Sequence, residues 1–280
     1  MRNRYPGTCQ ECSQHVPAGS GVVVRESGRW RAYCAEHEPR PDPPPARGGH
    51  PGWHTTKLVG YDCETSAANP KEAFLVSAAL VEVNGQVRTW LVDPGERTIP
   101  AEATDVHGIS TEYARTHGRP AEEVLAEISQ ALVDHLTVGH GLAIFNAPFD
   151  LAVLDNELSR AEMDTLSQRM AGAIHPVIDP LVLDRGIDPY RRGRRTLTAM
   201  CQHYEVSLTE AHTATGDAHA CLTLATEIGA RHQNVAALSL SELHQRQVEW
   251  ALAYAQDRQQ WLDRTRPGHG RHFEGSWPTG

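Results

Sequence analysis

The sequence predicts an α/β protein in which a mixed β-sheet is flanked by helices. Short apolar runs that contain β-branched residues indicate strands, and the Asn84-Gly85 dipeptide between two of them is a strong hairpin signal. Residues 121–136 repeat apolar side chains at helical spacing, which predicts an amphipathic helix after the hairpin. The strands are expected at 57–63, 73–83 and 87–92, with a further apolar run at 138–145.

Two acids at the end of the first strand are the first candidate site residues. Side chains alternate along a strand, so Asp62 and Glu64 share one face and Cys63 lies on the other. Two carboxylates on one face repel each other, and a hard divalent cation such as Mg²⁺ or Mn²⁺ relieves this repulsion by taking oxygen ligands. An isolated Asp-x-Glu is more often a pair of solvated acids, so the interpretation depends on further elements.

The next candidate acid lies where a helix is predicted to begin, directly after the apolar run at 138–145. Asn146 is suited to cap this helix and Pro148 is tolerated in its first turn. Asp150 lies in the same turn, near the positive end of the helix. By itself, Asp150 needs no role beyond complementing the helix dipole.

The third group lies at the start of a predicted buried helix at 215–230. Asp217 is in its first turn, and His212 precedes it on the approach loop, where it can turn toward an attacking water. Histidine suits proton transfer because its unperturbed pKa lies near neutrality. The chain contains 16 histidines, so the spacing relative to Asp217 is what distinguishes His212.

In this order, the four acids and the histidine resemble the DEDD superfamily of 3′–5′ exonucleases, in the branch whose third motif carries histidine. The proofreading epsilon-type subunits of bacterial replicative polymerases belong to that branch. The resemblance covers about residues 55–232. The segment Val106-His107-Gly108-Ile109 is similar to the family's segment near the terminal nucleotide. Ser66-Ala67 and Phe145 depart from the family pattern without removing a ligand.

The resemblance implies a ribonuclease H-like fold and a metal-dependent 3′–5′ exonuclease that acts on DNA. Asp62, Glu64 and Asp217 would hold one Mg²⁺ or Mn²⁺, and Asp62 would bridge to a second ion that Asp150 supports through water. His212 would be the general base, and the product would be a nucleoside 5′-monophosphate. The expected partners are single-stranded or frayed 3′ ends of DNA and a polymerase or another replication or repair protein. The substrate contacts would come from Thr65, His107 and Asn146.

Two alternatives remain open on the sequence. The same superfamily divides between DNA and RNA, and discrimination of the 2′-hydroxyl depends on pocket shape, so a 3′–5′ exoribonuclease fits the motifs equally. A module that binds nucleic-acid ends or a protein without catalysis would also keep the fold. The presence of all five catalytic side chains favours an enzyme.

A second pattern of metal ligands lies near the N-terminus. Cys9-Gln10-Glu11-Cys12 is followed by Cys34-Ala35-Glu36-His37, and three thiolates with one imidazole are a donor set typical of structural zinc. The segments 21–24 and 28–33 between the pairs have the pattern of a short hairpin, as in a zinc ribbon. The alternative is a pair of disulfides, which the histidine disfavours. The predicted Zn²⁺ ligands are Cys9, Cys12, Cys34 and His37.

The charge of the chain argues against a simple nucleic-acid coat, because the formal net charge is -9. One dense basic cluster lies just before the third motif, at Arg191, Arg192, Arg194 and Arg195. It could contact phosphates, with Arg195 as the best candidate, or it could be a solvated loop.

The organisation predicted from composition has five parts. They are a zinc-ribbon-like module at 1–38, a Pro/Gly-rich linker at 39–54, the exonuclease domain at 55–232, a helical segment at 233–265 and a disordered tail at 266–280. The sequence has no apolar stretch long enough for a membrane span and no signal-like segment after Met1. We therefore expect a cytoplasmic protein with no membrane partner.

Overall fold

A computed structural model of the chain describes residues 2–26, 29–39 and 43–279. The chain forms two compact units, Met1–Asp42 and Pro43–Gly280. Gly28 of the predicted hairpin, residues 40–42 of the predicted linker and Gly280 of the predicted tail lie outside the described residues. Within the described residues, no helix has the length and apolar character needed to cross a membrane.

Two antiparallel pairs of short strands build the first unit. β1 (Gly7–Thr8) pairs with β2 (His15–Val16), and β3 (Gly21–Glu26) pairs with β4 (Arg29–Cys34). A 3₁₀ turn at Ala35–His37 follows β4 directly. The small core contains Cys9, Val16 and Tyr33, so a predicted metal ligand is itself part of the core.

The second unit is organised around a five-stranded mixed sheet. Its strands are β5 (Leu58–Thr65), β6 (Leu75–Glu82), β7 (Val87–Leu91), β8 (Gly141–Ala143) and β9 (Val177–Ile178). The spatial order is β7-β6-β5-β8-β9, with β5, β6 and β7 antiparallel and β8 and β9 parallel to β5. The predicted strands are therefore present. The run at 138–145 contributes only three strand residues, because residues 138–140 form the turn after the preceding helix.

Ten α-helices connect or follow the strands in the described part of the chain. Two separate apolar clusters lie on the two faces of the sheet, one with Tyr61 and the helix at 121–137, the other with Leu58 and the helix at 214–231. The helices are α1 (Ala101–His107), α2 (Thr111–His117), α3 (Ala121–Thr137), α4 (Ala147–Arg160), α5 (Leu166–Arg169), α6 (Pro180–Ile187), α7 (Leu197–Tyr204), α8 (Ala214–Arg231), α9 (Gln233–Ala236) and α10 (Leu240–Thr265).

A close approach between β5 and α8 positions the acidic end of the central strand. A Cβ atom at Gly60 would lie 2.4 Å from the carbonyl oxygen of Ala218, so only glycine fits there without displacing the helix. Gly60 and Asp62 lie on the same face of the strand because side chains alternate. The first turn of α8 therefore lies against the face that carries Asp62.

The predicted linker differs from the structure over its second half. Trp53 is 3% exposed, and its Nε1–H donates to the carbonyl oxygen of Val235 at 3.0 Å. Upstream of it, the backbone N–H of Gly48 donates to the carbonyl oxygen of Ala230 at 2.8 Å. From Pro43 onward the segment belongs to the second unit, and Trp53 is buried although the composition around it is that of a solvated linker.

The prediction of a disordered tail was also wrong for the described residues after α10. Trp277 is buried, its Nε1–H donates to Oδ2 of Asp179 at 3.3 Å, and its ring packs against His244 at 5.0 Å between centroids. The Gly, Pro and His content of the tail favours disorder, but it does not account for the burial of a single large apolar ring. The helical segment before it is as predicted, and the capping box of Ser239 and Glu242 opens α10.

Candidate active site

The structure brings three of the predicted acids together at the end of β5. One carboxylate oxygen from each of Asp62, Glu64 and Asp217 lies within 4.8 Å of the others. Asp62 and Glu64 come from the same face of the strand, and Asp217 comes from the first turn of α8. Oδ1 of Asp217 is buried and has no hydrogen-bond partner among the described residues. An unpaired carboxylate oxygen beside two further carboxylates is a set of oxygen donors that could hold a hard divalent cation.

The electrostatics of this cluster agree with its geometry. Burial raises the pKa of Asp62 well above its usual range, and the charges of Asp150, Asp217 and Glu64 raise it further. Burial and the charge of Asp217 raise the pKa of Glu64 to about 7. Burial is also the main cause that raises the pKa of Asp217. Without a cation, the cluster therefore tends to bind protons at neutral pH.

Asp150 is outside this group of three, but its charge is close enough to Asp62 to help raise the pKa of that residue. It is 4% exposed in the first turn of α4, and its Oδ1 accepts the backbone N–H of Cys63 at 3.0 Å. Burial raises the pKa of Asp150 to about 7, although the hydrogen bonds from Cys63 oppose the shift. Cys63 stands between Asp62 and Glu64, so this bond connects α4 to the backbone that carries both acids.

His212 lies in the turn that leads into α8, as the sequence indicates. Its φ is 63°, a left-handed conformation that few residues other than glycine adopt, and its side chain is exposed. The next residue, Thr213, caps α8 by accepting the N–H of Gly216 at 3.0 Å. The backbone and the charge of His212 both lower the pKa of Asp217. The imidazole is therefore close to the cluster while remaining open to solvent.

Three of the predicted substrate contacts have well-defined surroundings. His107 is buried, its Nδ1 accepts the N–H of Ile109 at 3.1 Å, and its Nε2 has no partner that meets hydrogen-bond geometry. Burial lowers the pKa of His107, an effect that the nearby backbone of Thr65 opposes. Asn146 occupies the N-cap position of α4, as predicted, with a φ of 62°, but its side chain makes no capping hydrogen bond.

The basic cluster before the third motif is tied to a buried acid that the sequence did not indicate. Asp184 is fully buried and accepts Nε of Arg191 at 2.8 and 3.0 Å, the hydroxyl of Tyr204 at 3.0 Å, and Nε of Arg195. The solvated-loop alternative therefore does not hold for Arg191 and Arg195. A phosphate contact by Arg195 stays a prediction, and it would compete with these bonds.

Asp179 is another buried acid that sequence reasoning missed. It caps α6 by accepting the N–H of Leu181 at 2.9 Å, and it also accepts the N–H groups of Asn146 and Ala147 at 3.1 and 3.0 Å. A signal was present, because an Asp followed by Pro180 is typical of a helix start. This pattern indicates that Asp179 caps α6, but it gives no sign of the bonds from Asn146 and Ala147.

The N-terminal ligands also come together, within the first unit. Single ligand atoms of Cys9, Cys12, Cys34 and His37 all lie within 4.8 Å of one another. Sγ of Cys34 is 3.8 Å from Sγ of Cys12 and 3.1 Å from Nδ1 of His37, and all six cysteines are free thiols. Burial raises the pKa of Cys9, but hydrogen bonds from the backbone of Cys12, Cys34 and Glu11 bring it down to about 6. This donor set fits tetrahedral zinc, and the disulfide alternative is not realised.

Carboxylates from a central strand and two helices, collected at one edge of a mixed sheet, define a DEDD-type 3′–5′ exonuclease domain. The RNase_T family, described as Exonuclease, matches residues 59–225, and this chain belongs to that family. The matched region includes all five predicted catalytic residues.

Known proteins similar to this chain include subunits of a replicative polymerase. DNA polymerase III subunit epsilon of Rickettsia prowazekii is 31% identical over 154 residues, which cover 52% of this chain and 61% of that protein. The epsilon subunit of Escherichia coli K12 is 28% identical over 161 residues, covering 54% of this chain and 61% of that protein. The matches thus span about three fifths of these curated relatives.

Solved structures of Exonuclease I have a similar fold. Exonuclease I of E. coli in complex with a dT13 oligonucleotide superposes with a TM-score of 0.54 and 17% sequence identity. The superposition covers 65% of this chain and 42% of that one. At this level of identity the similarity concerns the fold alone.

Proposed function

We propose that this chain is a metal-dependent exonuclease that removes nucleotides from the 3′ end of DNA. The observation that carries the proposal is the cluster of Asp62, Glu64 and Asp217 at one edge of the sheet. Asp150 supports it from α4, and His212 lies on the turn beside Asp217. An arrangement of this kind offers cation ligands and a base to one phosphodiester.

The donor chemistry fits two hard divalent cations, Mg²⁺ or Mn²⁺. Asp62, Glu64 and Asp217 would hold one ion, and Asp62 with Asp150 would help to hold a second. The raised pKa of Glu64 and the unpaired Oδ1 of Asp217 both agree with a site that is completed by positive charge. When bound, such ions stabilise the negative charge that develops on the phosphate and on the leaving oxygen.

His212 is suited to take the proton from the attacking water. Its side chain is exposed, so it can reach a nucleophile on the solvent side of the cluster. The water oxygen bonds to phosphorus, and the bond from phosphorus to the 3′-oxygen of the preceding nucleotide breaks. The product is a nucleoside 5′-monophosphate, and the shortened strand keeps a 3′-hydroxyl.

Four residues are proposed to contact the substrate. Thr65 directly follows Glu64, and His107 approaches the Thr65 backbone, so both lie near the end of β5. The others are Asn146 at the start of α4 and Arg195. DNA is the proposed polymer because the relatives are subunits of a DNA polymerase and a fold neighbour is an exonuclease solved with a DNA oligonucleotide. A replication or repair protein is the proposed partner on the same basis.

The N-terminal cluster is proposed to hold a structural Zn²⁺. Three thiols and one imidazole close a tetrahedral shell and leave no position for a substrate. The core of this unit is small and includes Cys9, so the metal would supply the missing stabilisation.

A digestion experiment tests the proposed activity. Single-stranded DNA and RNA of one sequence, each labelled at the 5′ or the 3′ end, are incubated with Mg²⁺ or with EDTA. We expect stepwise, Mg²⁺-dependent shortening from the 3′ end, faster on DNA. Faster RNA cleavage would assign an exoribonuclease, shortening from the 5′ end would contradict the polarity, and binding without cleavage in Mg²⁺ and Mn²⁺ would assign a binding module.

A further inference from the structure

The carboxylate of Asp179 collects N–H donors from three separate parts of the second unit. Two come from the start of α4, at Asn146 and Ala147, and one from α6, at Leu181. The fourth is the indole Nε1–H of Trp277, at 3.3 Å. Capping α6 requires only the bond to Leu181, so the remaining bonds need another explanation. Asp179 is fully buried, and burial raises its pKa while the hydrogen bonds from these donors oppose the shift.

The bonds to α4 lead directly to the acidic cluster. Asn146 and Ala147 begin the helix whose first turn contains Asp150, and Asp150 accepts the N–H of Cys63 at 3.0 Å. Asn146 has a φ of 62°, a left-handed conformation that asparagine tolerates better than most residues, and its own side chain makes no capping bond. Asp179 thus accepts the two backbone N–H groups at the start of α4, where the side chain of Asn146 makes no capping bond.

The fourth donor comes from a part of the chain beyond the family match, which ends at residue 225. The C-terminal segment, residues 240–279, contacts β9 at several points. Gln247 accepts the N–H of Asp179 at 2.7 Å and donates to the carbonyl oxygen of Val177 at 3.0 Å. His244 accepts the N–H of Val177 at 3.1 Å, and Trp277 packs on His244. The segment therefore contacts Asp179 twice, at its backbone N–H through Gln247 and at its carboxylate through Trp277.

We propose that Asp179 is a positioning residue for Asp150 and that Trp277 of the C-terminal segment completes the donor set that keeps it in place. The inference rests on the proposed nuclease function. The sequence of contacts runs from Trp277 to Asp179, to the start of α4, to Asp150 and to the backbone between Asp62 and Glu64. Neither Asp179 nor Trp277 belongs to the acidic cluster, so both act through Asp150.

Two substitutions in the full chain test this proposal. Trp277→Phe keeps the apolar ring and removes the N–H donor, and Asp179→Asn keeps the shape but turns two acceptor oxygens into one. Since a misplacement of about 1 Å can cost roughly a hundredfold, we expect kcat to fall roughly tenfold in Trp277→Phe and roughly a hundredfold in Asp179→Asn. The KM for a DNA oligonucleotide should stay unchanged, while the Mg²⁺ concentration for half-maximal rate should rise. A loss of folded protein would lower the rate without raising the Mg²⁺ concentration needed for half-maximal activity.

The matched control is Trp261→Phe, because Trp261 lies in the same segment, packs with Arg258 and makes no bond to Asp179. It should keep the wild-type kcat and Mg²⁺ dependence. A second measurement does not depend on activity. In EDTA, hydrogen exchange at the amides of Cys63 and Ala147 should be faster in Trp277→Phe than in the wild type and in Trp261→Phe.

The outcomes separate this proposal from the proposed function. Wild-type kcat, Mg²⁺ dependence and amide exchange in Trp277→Phe would overturn the positioning role, even if Asp179→Asn fails to fold. If the wild-type protein cleaves no nucleic acid, the proposed function fails. The amide exchange then decides by itself whether Trp277 and Asp179 hold the start of α4.

Discussion

The two clusters of candidate metal ligands in this chain are built in opposite ways. In the first unit, Cys9, Cys12, Cys34 and His37 come from two short local motifs, and a ligand belongs to the small core itself. In the second unit, Asp62, Glu64 and Asp217 come from a strand and a helix far apart in the sequence, supported by large apolar clusters on both faces of the sheet.

The comparison separates two uses of metal by a protein. Soft thiolates in a closed shell, within a unit that has little apolar core, indicate a metal that stabilises the fold. Carboxylates that a stable fold brings together repel each other, and the stability of the rest of the fold offsets this repulsion. A metal at such a site is therefore needed for catalysis and not for folding. Four changes test this distinction, ordered from the largest expected effect to the smallest.

Replacing a thiol should remove the fold of the first unit while sparing the second. In Cys34→Ser, we expect loss of bound zinc and of the dispersed NMR signals of residues 2–39, because zinc contributes about 10–16 kcal/mol in small modules of this kind. Cleavage of a short oligonucleotide should persist. Zinc content by mass spectrometry and nitrogen-edited NMR measure the outcome. His15→Ala, at an exposed histidine outside the cluster, is the matched control. A Cys34→Ser protein with one full equivalent of zinc would refute the ligand assignment.

Replacing a carboxylate should have the reverse effect. Asp62→Asn removes one of several repelling charges, so the metal-free protein should melt no lower than the wild type, while kcat/KM falls roughly a thousandfold or more. Calorimetry in EDTA and a labelled-oligonucleotide assay give the two values. Asp257→Asn, at an exposed site on α10, should change neither. Activity retained in Asp62→Asn would show that the cluster is not the catalytic site.

His212 sharpens the comparison, because it is the one predicted catalytic side chain without a place among the metal ligands. Asparagine tolerates a left-handed backbone, so His212→Asn should keep the turn and remove the base. We expect kcat to fall roughly a hundredfold with an unchanged Mg²⁺ requirement. His219→Asn, at an exposed histidine within α8, is the control in the same assay. Equal rates for the two variants would exclude the general-base role.

The smallest effect is an opposite response of the two clusters to pH. Burial raises the pKa of Glu64 to about 7, so the folded state binds a proton that the unfolded chain has released. Its contribution to stability is complete below the unfolded pKa of about 4.3 and is lost as pH rises through about 7. In EDTA, raising the pH should therefore lower the Tm, less so in Glu64→Gln. Zinc retention should weaken as pH falls, because the thiols must lose protons to bind. If Tm falls with rising pH equally steeply in the wild type and in Glu64→Gln, this account is contradicted.

Sequence patterns located the local features of both units. The alternation at Asp62 and Glu64 predicted their common face, and the spacing of Cys9, Cys12, Cys34 and His37 predicted a four-ligand set. The hairpin at Asn84-Gly85 and the cap at Ser239 were equally visible. These features depend on neighbouring residues in the chain, and so their signals are local.

Sequence patterns could not indicate the surroundings of three side chains, because each depends on residues far away in the chain. The segment around Arg195 has the composition of a solvated loop, yet Arg195 forms an ion pair with the buried Asp184. Asn146 is at the N-cap position, yet its side chain makes no capping bond. The backbone N–H groups of Asn146 and Ala147 donate instead to the distant Asp179. The tail has the composition of a disordered segment, yet Trp277 is buried against His244.

The sequence by itself determined the ligand types, their spacing and the strands and helices that present them, because propensity and periodicity act over a few residues. Only the tertiary structure decided which acids share a site, how close they lie and which polar groups are buried. The close approach of α8 at Gly60 brings Asp217 to Asp62, and the burial that follows raises the pKa values of the acids. Burial and long-range hydrogen bonding are properties of the packed chain, and no local pattern specifies them.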